Sequence, residues 1–313
     1  MRDLASARAP SARLGAALYE SHYLTAVDAA GGRAVWLRYT ALKSPGATAR
    51  PTVWLTWFDR SAPGPRAWRV TASEPVTDPG ASWARSALGV LGPGAARGAI
   101  GEAAWDLTWE PRAAVLPYLP ARWLYDRRVP RSGGVALAPS ALVSGSIGLD
   151  GGEPVLIEGW NGMIGHNWGS EHAEQWTWLH AGGLGPDRAG WLDLVLVRIR
   201  VGPLLTPWIA AGAMHVDGRT LATARRGRLG RELRGERTTV RVPLAGAAVL
   251  ELRARAPAAA TVSWDYASPS GRGRTVQNCS VADATLVLHT RSGERAFEVA
   301  AGLAVEHGAP SGP

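Results

Sequence analysis

The sequence predicts an all-β protein built from two similar barrel-like halves, and three observations carry that prediction. Short runs rich in β-branched and aromatic residues recur along the chain, with Gly, Pro and Asp between them. Helical periodicity is scarce. A pattern near the start of the chain also recurs 155 residues later. Tyr23-Leu24-Thr25-Ala26 leads to Arg33-Ala34-Val35-Trp36-Leu37, and Trp178-Leu179-His180-Ala181 leads to Arg188-Ala189-Gly190-Trp191-Leu192. Leu, Ala, Arg, Ala, Trp and Leu coincide without a gap, which points to duplication of one unit.

Taken in order, residues 34–40 and 52–58 are the clearest strands of the first half, with Gly31-Gly32 as a hairpin turn before the former. Further strands are expected over 67–72, 104–110, 144–149 and 154–158. The second half repeats the style over 175–181, 191–201, 208–216, 238–243, 247–255, 261–266, 275–281 and 285–290. Asp217-Gly218 and Ser292-Gly293 read as turns. Residues 82–91 make the best short helix candidate. The division between halves falls between about 150 and 165, giving units 1–158 and 159–313.

Composition narrows the function classes. The 313 residues are 46% hydrophobic and 19% charged, enough to bury a large core. No run approaches the roughly 18 apolar residues of a membrane helix. The first 17 residues carry Arg2, Arg8 and Arg13 but no continuous apolar stretch, which argues against a secretory signal and for a cytoplasmic location. Cys279 is the only cysteine, so an intrachain disulfide and a cysteine metal cluster are both excluded. The net charge of +8 rests on arginine, with Lys43 the only lysine, and no recognition motif accompanies it. The dense stretch 219–241 also holds Glu232 and Glu236 and reads as a solvated loop or hairpin, so no nucleic-acid partner is expected. Fifteen tryptophans against two phenylalanines are the unusual feature; they fit core packing, a sugar-stacking face or a roomy apolar pocket. Oligomeric state is open, because Phe58 and the Trp-rich strands suit a dimer seam as well as a core.

The segment 159–172 concentrates chemistry. His166 and Asn167 lie among glycines, where an imidazole can serve as acid or base or be held structurally by backbone. Gly165 and Gly169 permit tight bends or close approach. A strand starting at Gln175 would put Trp176, Trp178 and His180 on one face and Gln175, Thr177 and Leu179 on the other. His166, His172 and His180, with Glu171 and Glu174 among them, raise the question of a metal. Their spacing matches neither a helical His-Glu-x-x-His nor a strand His-x-His, so none is expected. Asp193 sits in an apolar run in phase with Trp191, Val195 and Val197. Facing an apolar interior it would have a raised pKa and could act as an acid, unless an arginine pairs with it. Asp106 and Glu110 have the same standing. No usable G-x-S-x-G, phosphate-binding loop or dinucleotide fingerprint is present.

Gly165-His166-Asn167-Trp168-Gly169, followed by Trp176-Thr177-Trp178, resembles the mid-chain signature of the hydroxyneurosporene synthase (carotenoid hydratase) and AttH-like superfamily, with tocopherol cyclase and fungal Diels–Alderases as more distant relatives. The stretches from Val129-Pro130-Arg131-Ser132 through Pro139 to Ser144-Gly145, and Val276-Gln277-Asn278-Cys279-Ser280-Val281-Ala282, are similar to the ends of the first and second barrels in such proteins. The resemblance implies two tandem lipocalin-like (calycin) antiparallel β-barrels, a cavity for one hydrophobic small molecule such as an isoprenoid or polyketide, and hydration, cyclisation or isomerisation without a cofactor. His166, Asn167, Glu171 and Asp193 are then the catalytic candidates. Trp36, Trp57, Trp168, Trp176, Trp178, His180 and Trp191 are the candidates for lining the pocket. In hydratase-like members an Asp often precedes the His; here that position is Gly165, so Glu171, His166 or Asp193 would have to supply the proton. A lipophile carrier or sensor would keep the pocket without needing His166. A carbohydrate-binding module would instead expose its tryptophans on a flat or grooved face.

Overall fold

The computed structural model describes residues 17–75, 82–126, 131–224, 227–231 and 236–311. The N-terminal arginines read above and Arg225-Arg226, Glu232, Val129 and Pro130 lie outside these residues. Every strand pairing is antiparallel. The first sheet takes β1 (Leu18–Asp28), β2 (Arg33–Lys43), β3 (Arg50–Asp59), β4 (Arg66–Thr71), β5 (Ala84–Ser86), β6 (Gly89–Gly92), β7 (Ala95–Ile100), β8 (Ala103–Pro111), β9 (Leu116–Pro117), β10 (Ser132–Leu149) and β11 (Val155–Gly169). Their order is β4-β3-β2-β1-β11-β10-β8-β7-β6-β5, with β9 on β10.

The second sheet takes β12 (Gln175–Leu184) and β13 (Gly190–Arg198), then, after a separate hairpin of β14 (Arg200–Val201) and β15 (Leu204–Leu205), β16 (Ile209–Val216), β17 (Arg219–Ala222), β18 (Arg228–Arg231), β19 (Arg237–Leu244), β20 (Ala248–Arg255), β21 (Val262–Ala267), β22 (Gly273–Thr290) and β23 (Gly293–Pro310). The order is β17-β16-β13-β12-β23-β22-β20-β19-β18, with β21 on β22. Each sheet curls into a half-barrel, so the chain is all-β with two tandem lipocalin-like units. The two orders correspond except that the first ends in an additional strand, β5. In each, the first strand of the half pairs with the last and with the second, as duplication requires.

Two expectations are corrected. Residues 82–91 form the strands β5 and β6, not a helix. Leu91 is fully buried in the first core, and Gly89 and Gly98 meet so closely that a Cβ at Gly89 would strike the Arg97 carbonyl and the Gly98 Cα. Pairing with β7 overrides the weak local preference. The division expected after residue 158 falls inside β11, which pairs with β10 along its length and with β1 from Asn161 to Gly169. The change of sheet comes between Gly169 and Gln175. No helix among the described residues is long and apolar enough to cross a membrane.

Strands β1–β3 are buried on both faces, which explains their nearly continuous apolar character. One face fills the first barrel with Leu24, Val35, Leu37 and Leu55. The other carries Val27, Trp36, Trp54 and Phe58 into the core shared with the second sheet. Phe58 is therefore core. By contrast β8 alternates strictly: Trp105, Leu107 and Trp109 point inward, while Asp106 and Glu110 are exposed. Asp106 there pairs with Arg97 at 2.8 Å. Across the two halves, Arg60 bonds Asp283 at 2.6 Å.

Candidate functional site

Strand alternation decides where the central motif acts. On β11, Ile164 and Trp168 fill the first barrel, and His166 lies between them on the same face. Its Nε2 is 3.1 Å from Glu20 Oε1. Its ring stacks on that of His22, its cross-strand partner, at 3.9 Å and 6°, and lies 4.6 Å from Trp168. His22 is held well below the ordinary histidine pKa by burial, then by the neighbouring His166. The candidate ligand atoms of Glu20, His22 and His166 lie within 4.8 Å of one another, a spacing a metal ion could bridge. It is a different set from His166, His172 and His180, which the fold does not gather.

Asn167, one residue on, points the opposite way into a cavity of about 360 Å³ between the two sheets. Its first wall comes from β1 and β2 through Tyr19, Tyr23, Trp36 and Arg38. The second sheet contributes Trp176, Trp178, Val195, Val197, Tyr266 and Glu306. Residues 118–120, after β9, cover one side. Tyr19, His172, Trp176 and Tyr266 form a continuous aromatic cluster, with ring centroids 3.9–6.2 Å apart. Burial, with the charges of Arg38 and Arg274, lowers His172 to a pKa of about 3, so it is neutral at physiological pH.

Behind the apolar wall is an acid. Asp193 is fully buried on the face of β13 that carries Val195 and Val197. The Tyr118 hydroxyl donates to its Oδ2 at 2.6 Å, and Trp178 Nε1 donates to its Oδ1 at 2.9 Å. No arginine pairs with it among the described residues. Burial outweighs both hydrogen bonds and raises its pKa to about 6. Tyr118 is pushed well above the ordinary tyrosine range by burial and then by the Asp193 charge. Tyr23 shares a side-chain hydrogen bond with Tyr118. The chain Asp193–Tyr118–Tyr23 thus links a carboxyl that titrates near neutrality to two phenols on the cavity wall.

The expected residues therefore separate. Asn167, Trp36, Trp176 and Trp178 line the cavity, and Asp193 stands directly behind Trp178 and Tyr118. His166, Trp168 and Trp57 face the first barrel instead, Trp57 packing on Trp160 at 5.9 Å. Trp176 and Trp178 share a face with His180, as alternation predicts. His180 stacks on Trp178 at 6.0 Å, but its Nε2 is bound to the Pro139 carbonyl and it is no part of the lining. Trp191 is buried against His215, and Glu171 sits in the link between the sheets; neither reaches the cavity. Tyr23, Tyr118, Arg38, Tyr266 and Glu306 carry no site assignment from the sequence, and His172 stood there only as a possible metal ligand. Arg38 had a signal, since an arginine inside an apolar strand is as anomalous as Asp193. Tyr118 had none: it reaches Asp193 across 75 residues from a short connection.

The glycine at 165 has a steric reason. Gly165 pairs with Tyr23, and the Tyr23 ring lies so close over it that any Cβ there would collide with the phenol. The same arrangement recurs in the second sheet, where the Trp176 ring covers its cross-strand partner Gly308. Residue 165 shares its face with Asn167, so a side chain there would point toward the cavity. In this protein the Tyr23 phenol takes that space.

No family model matches the chain. The uncharacterized proteins Rv0493c and MT0513 of Mycobacterium tuberculosis are each 25% identical to it over 309 residues, covering 94% of this chain and 87% of theirs. Among solved structures, a protein assigned as AttH from Nitrosomonas europaea superposes with a TM-score of 0.55 at 16% identity, covering 94% of this chain and 92% of that one. Kievitone hydratase from Nectria haematococca superposes with a TM-score of 0.52 at 12% identity, covering 99% and 93%. The likeness is one of architecture: the chain shares its tandem-barrel fold with the protein assigned as AttH and with kievitone hydratase.

Proposed function

We propose that the protein binds a hydrophobic small molecule between its two sheets and catalyses a proton-initiated hydration, cyclisation or isomerisation without a cofactor. The observation that carries this reading is Asp193: a fully buried carboxyl with a pKa near 6, connected through Tyr118 to an apolar, aromatic-walled cavity. Such a group is populated in both protonation states near neutral pH, which is what a general acid that is also regenerated requires. Protonation of an alkene would leave a cation facing Trp176 and Trp178, whose ring faces stabilise positive charge by about 2 kcal/mol when desolvated. In hydration, water would then add to the cation and its surplus proton would return through Tyr118 to Asp193. Asn167 would orient the ligand. His166 takes no part in this scheme, because its ring is on the other side of β11.

The tryptophans favour an enclosed pocket over a carbohydrate-binding face: of the fifteen, only Trp123 is exposed. The similarity in fold to a hydratase supports the reaction class. The test begins with mass spectrometry of small molecules extracted from the native protein. The extracted lipophile is then incubated with protein in D2O. Wild type is expected to introduce deuterium at carbon, and Asp193→Asn to slow this by about 100-fold or more. Equal rates would exclude Asp193 as the acid. Binding without any exchange or turnover in wild type would make the protein a carrier.

A further inference from the structure

Arg38 is the one cationic side chain lining the cavity, and none of the ion pairs among the described residues includes it. It sits on β2, next to Trp36 on the same face, and is only 5% exposed. Its Nε donates to Ser21 Oγ at 2.7 Å. The guanidinium carbon lies 3.8 Å above the centre of the Tyr266 ring and 5.6 Å from that of Trp54. Those rings hold the cation, but they leave Nη1 buried without a hydrogen-bond partner. The acid that shares the cavity lining, Glu306, is already engaged. Its carboxylate accepts from Trp176 Nε1 at 2.9 Å, from Tyr266 OH at 3.2 Å and from Asn278 Nδ2 at 3.3 Å. The other titratable neighbours are Tyr19, Tyr23 and His172, the last neutral near pH 7, together with Arg69, which shares Trp54 and repels Arg38.

A buried guanidinium with an idle donor is costly unless something supplies the missing oxygen. Planar N–H pairs are matched by oxyanions, which arginine binds with directional, charge-assisted bonds. We propose that the cavity's ligand is an apolar molecule carrying one oxyanion, such as a carboxylate, phenolate or enolate, and that Arg38 binds this group through Nη1. Tyr23 is the cross-strand partner of Arg38 and belongs to the Asp193–Tyr118 chain. The anionic group is therefore anchored beside the proton-bearing end of the site, and the aromatic cluster takes the apolar body. This rests on the between-sheet cavity being the ligand site.

Two fluorescent probes with one ring system test it: 8-anilinonaphthalene-1-sulfonate, which carries an anionic oxygen group, and N-phenyl-1-naphthylamine, which does not. Wild type is expected to bind the sulfonate at least about tenfold more tightly than the neutral probe, since one charge-assisted bond is worth that much. Arg38→Met should bring the two within about twofold while leaving the neutral probe's affinity unchanged, and Arg38→Lys should retain part of the preference. Ala211→Trp, which fills the cavity, should weaken both probes and abolish the preference, separating cavity binding from surface arginines. Equal affinities in wild type, or a preference that survives Ala211→Trp or Arg38→Met, overturns the inference. If both probes bind Ala211→Trp as well as wild type, the ligand-site reading itself fails. Should Arg38→Met not fold, the wild-type and Ala211→Trp comparison decides the matter alone.

Discussion

Two buried polar clusters lie on opposite sides of β11 and are built in opposite ways. Inside the first barrel, His22 and His166 stack beside Glu20, and burial there keeps His22 neutral. Between the sheets, Asp193 is held by Tyr118 and Trp178, and burial there favours the protonated carboxyl. The first cluster abuts a packed barrel core; the second backs onto an open cavity. What separates them is one residue along one strand, His166 against Asn167. A motif contiguous in sequence is thus divided between two compartments, and only the half that faces the cavity belongs with the ligand.

The largest effect should come from removing the tryptophan that serves both cavity wall and acid. Trp178→Ala deletes a buried ring and the Oδ1 donor of Asp193, and should lower stability by about 3–5 kcal/mol in urea unfolding. A loss under 1 kcal/mol would mean the between-sheet cluster is loosely packed.

Next in size are pH effects of opposite sign. Asp193 has a pKa of about 6 folded against 3.8 ordinarily. The unfolded chain gives up this proton first, so folding stability falls as pH rises from about 4 to 6, by about 3 kcal/mol in total. Asp193→Asn should therefore gain on wild type across that interval. For His22, and for His172 and His180 with pKa values of about 3 and about 4, the unfolded chain binds the proton first. Stability from these groups is complete above pH 6.5 and lost as pH falls below it. His22→Gln should flatten the acid limb of the stability profile and Asp193→Asn the limb above pH 4. If both variants shift the profile in the same direction, the contrast between the clusters is wrong.

A smaller effect isolates the contact between Tyr23 and Gly165. Gly165→Ala should cost about 1–3 kcal/mol through overpacking, and most of that should vanish in a Tyr23→Ala background. Additive penalties in the double variant would show that the ring does not set the requirement for glycine.

Much of the fold was readable because most strands show runs of β-branched and aromatic residues between turns. What went unread has physical reasons. β1 interleaves Glu20, Ser21, His22 and Thr25 with apolar residues because both of its faces meet polar groups, and this disguises its period. β23 is rich in Ala and Gly, so its pairing rather than its propensity makes it a strand. Asp193 was legible as a charge in an apolar run. The direction of His166 was not, since the face a strand residue takes depends on which side its sheet closes. Tyr118 and Arg38 complete the site only through long-range packing.

The most direct test of the division at β11 is to change its two neighbouring residues one at a time and measure N-phenyl-1-naphthylamine affinity on folded protein. Asn167→Trp should fill the between-sheet cavity and weaken binding by about tenfold or more, while His166→Ala should leave affinity within about twofold even if it lowers stability. Loss of binding in His166→Ala with binding retained in Asn167→Trp would put the ligand inside the first barrel and contradict the account.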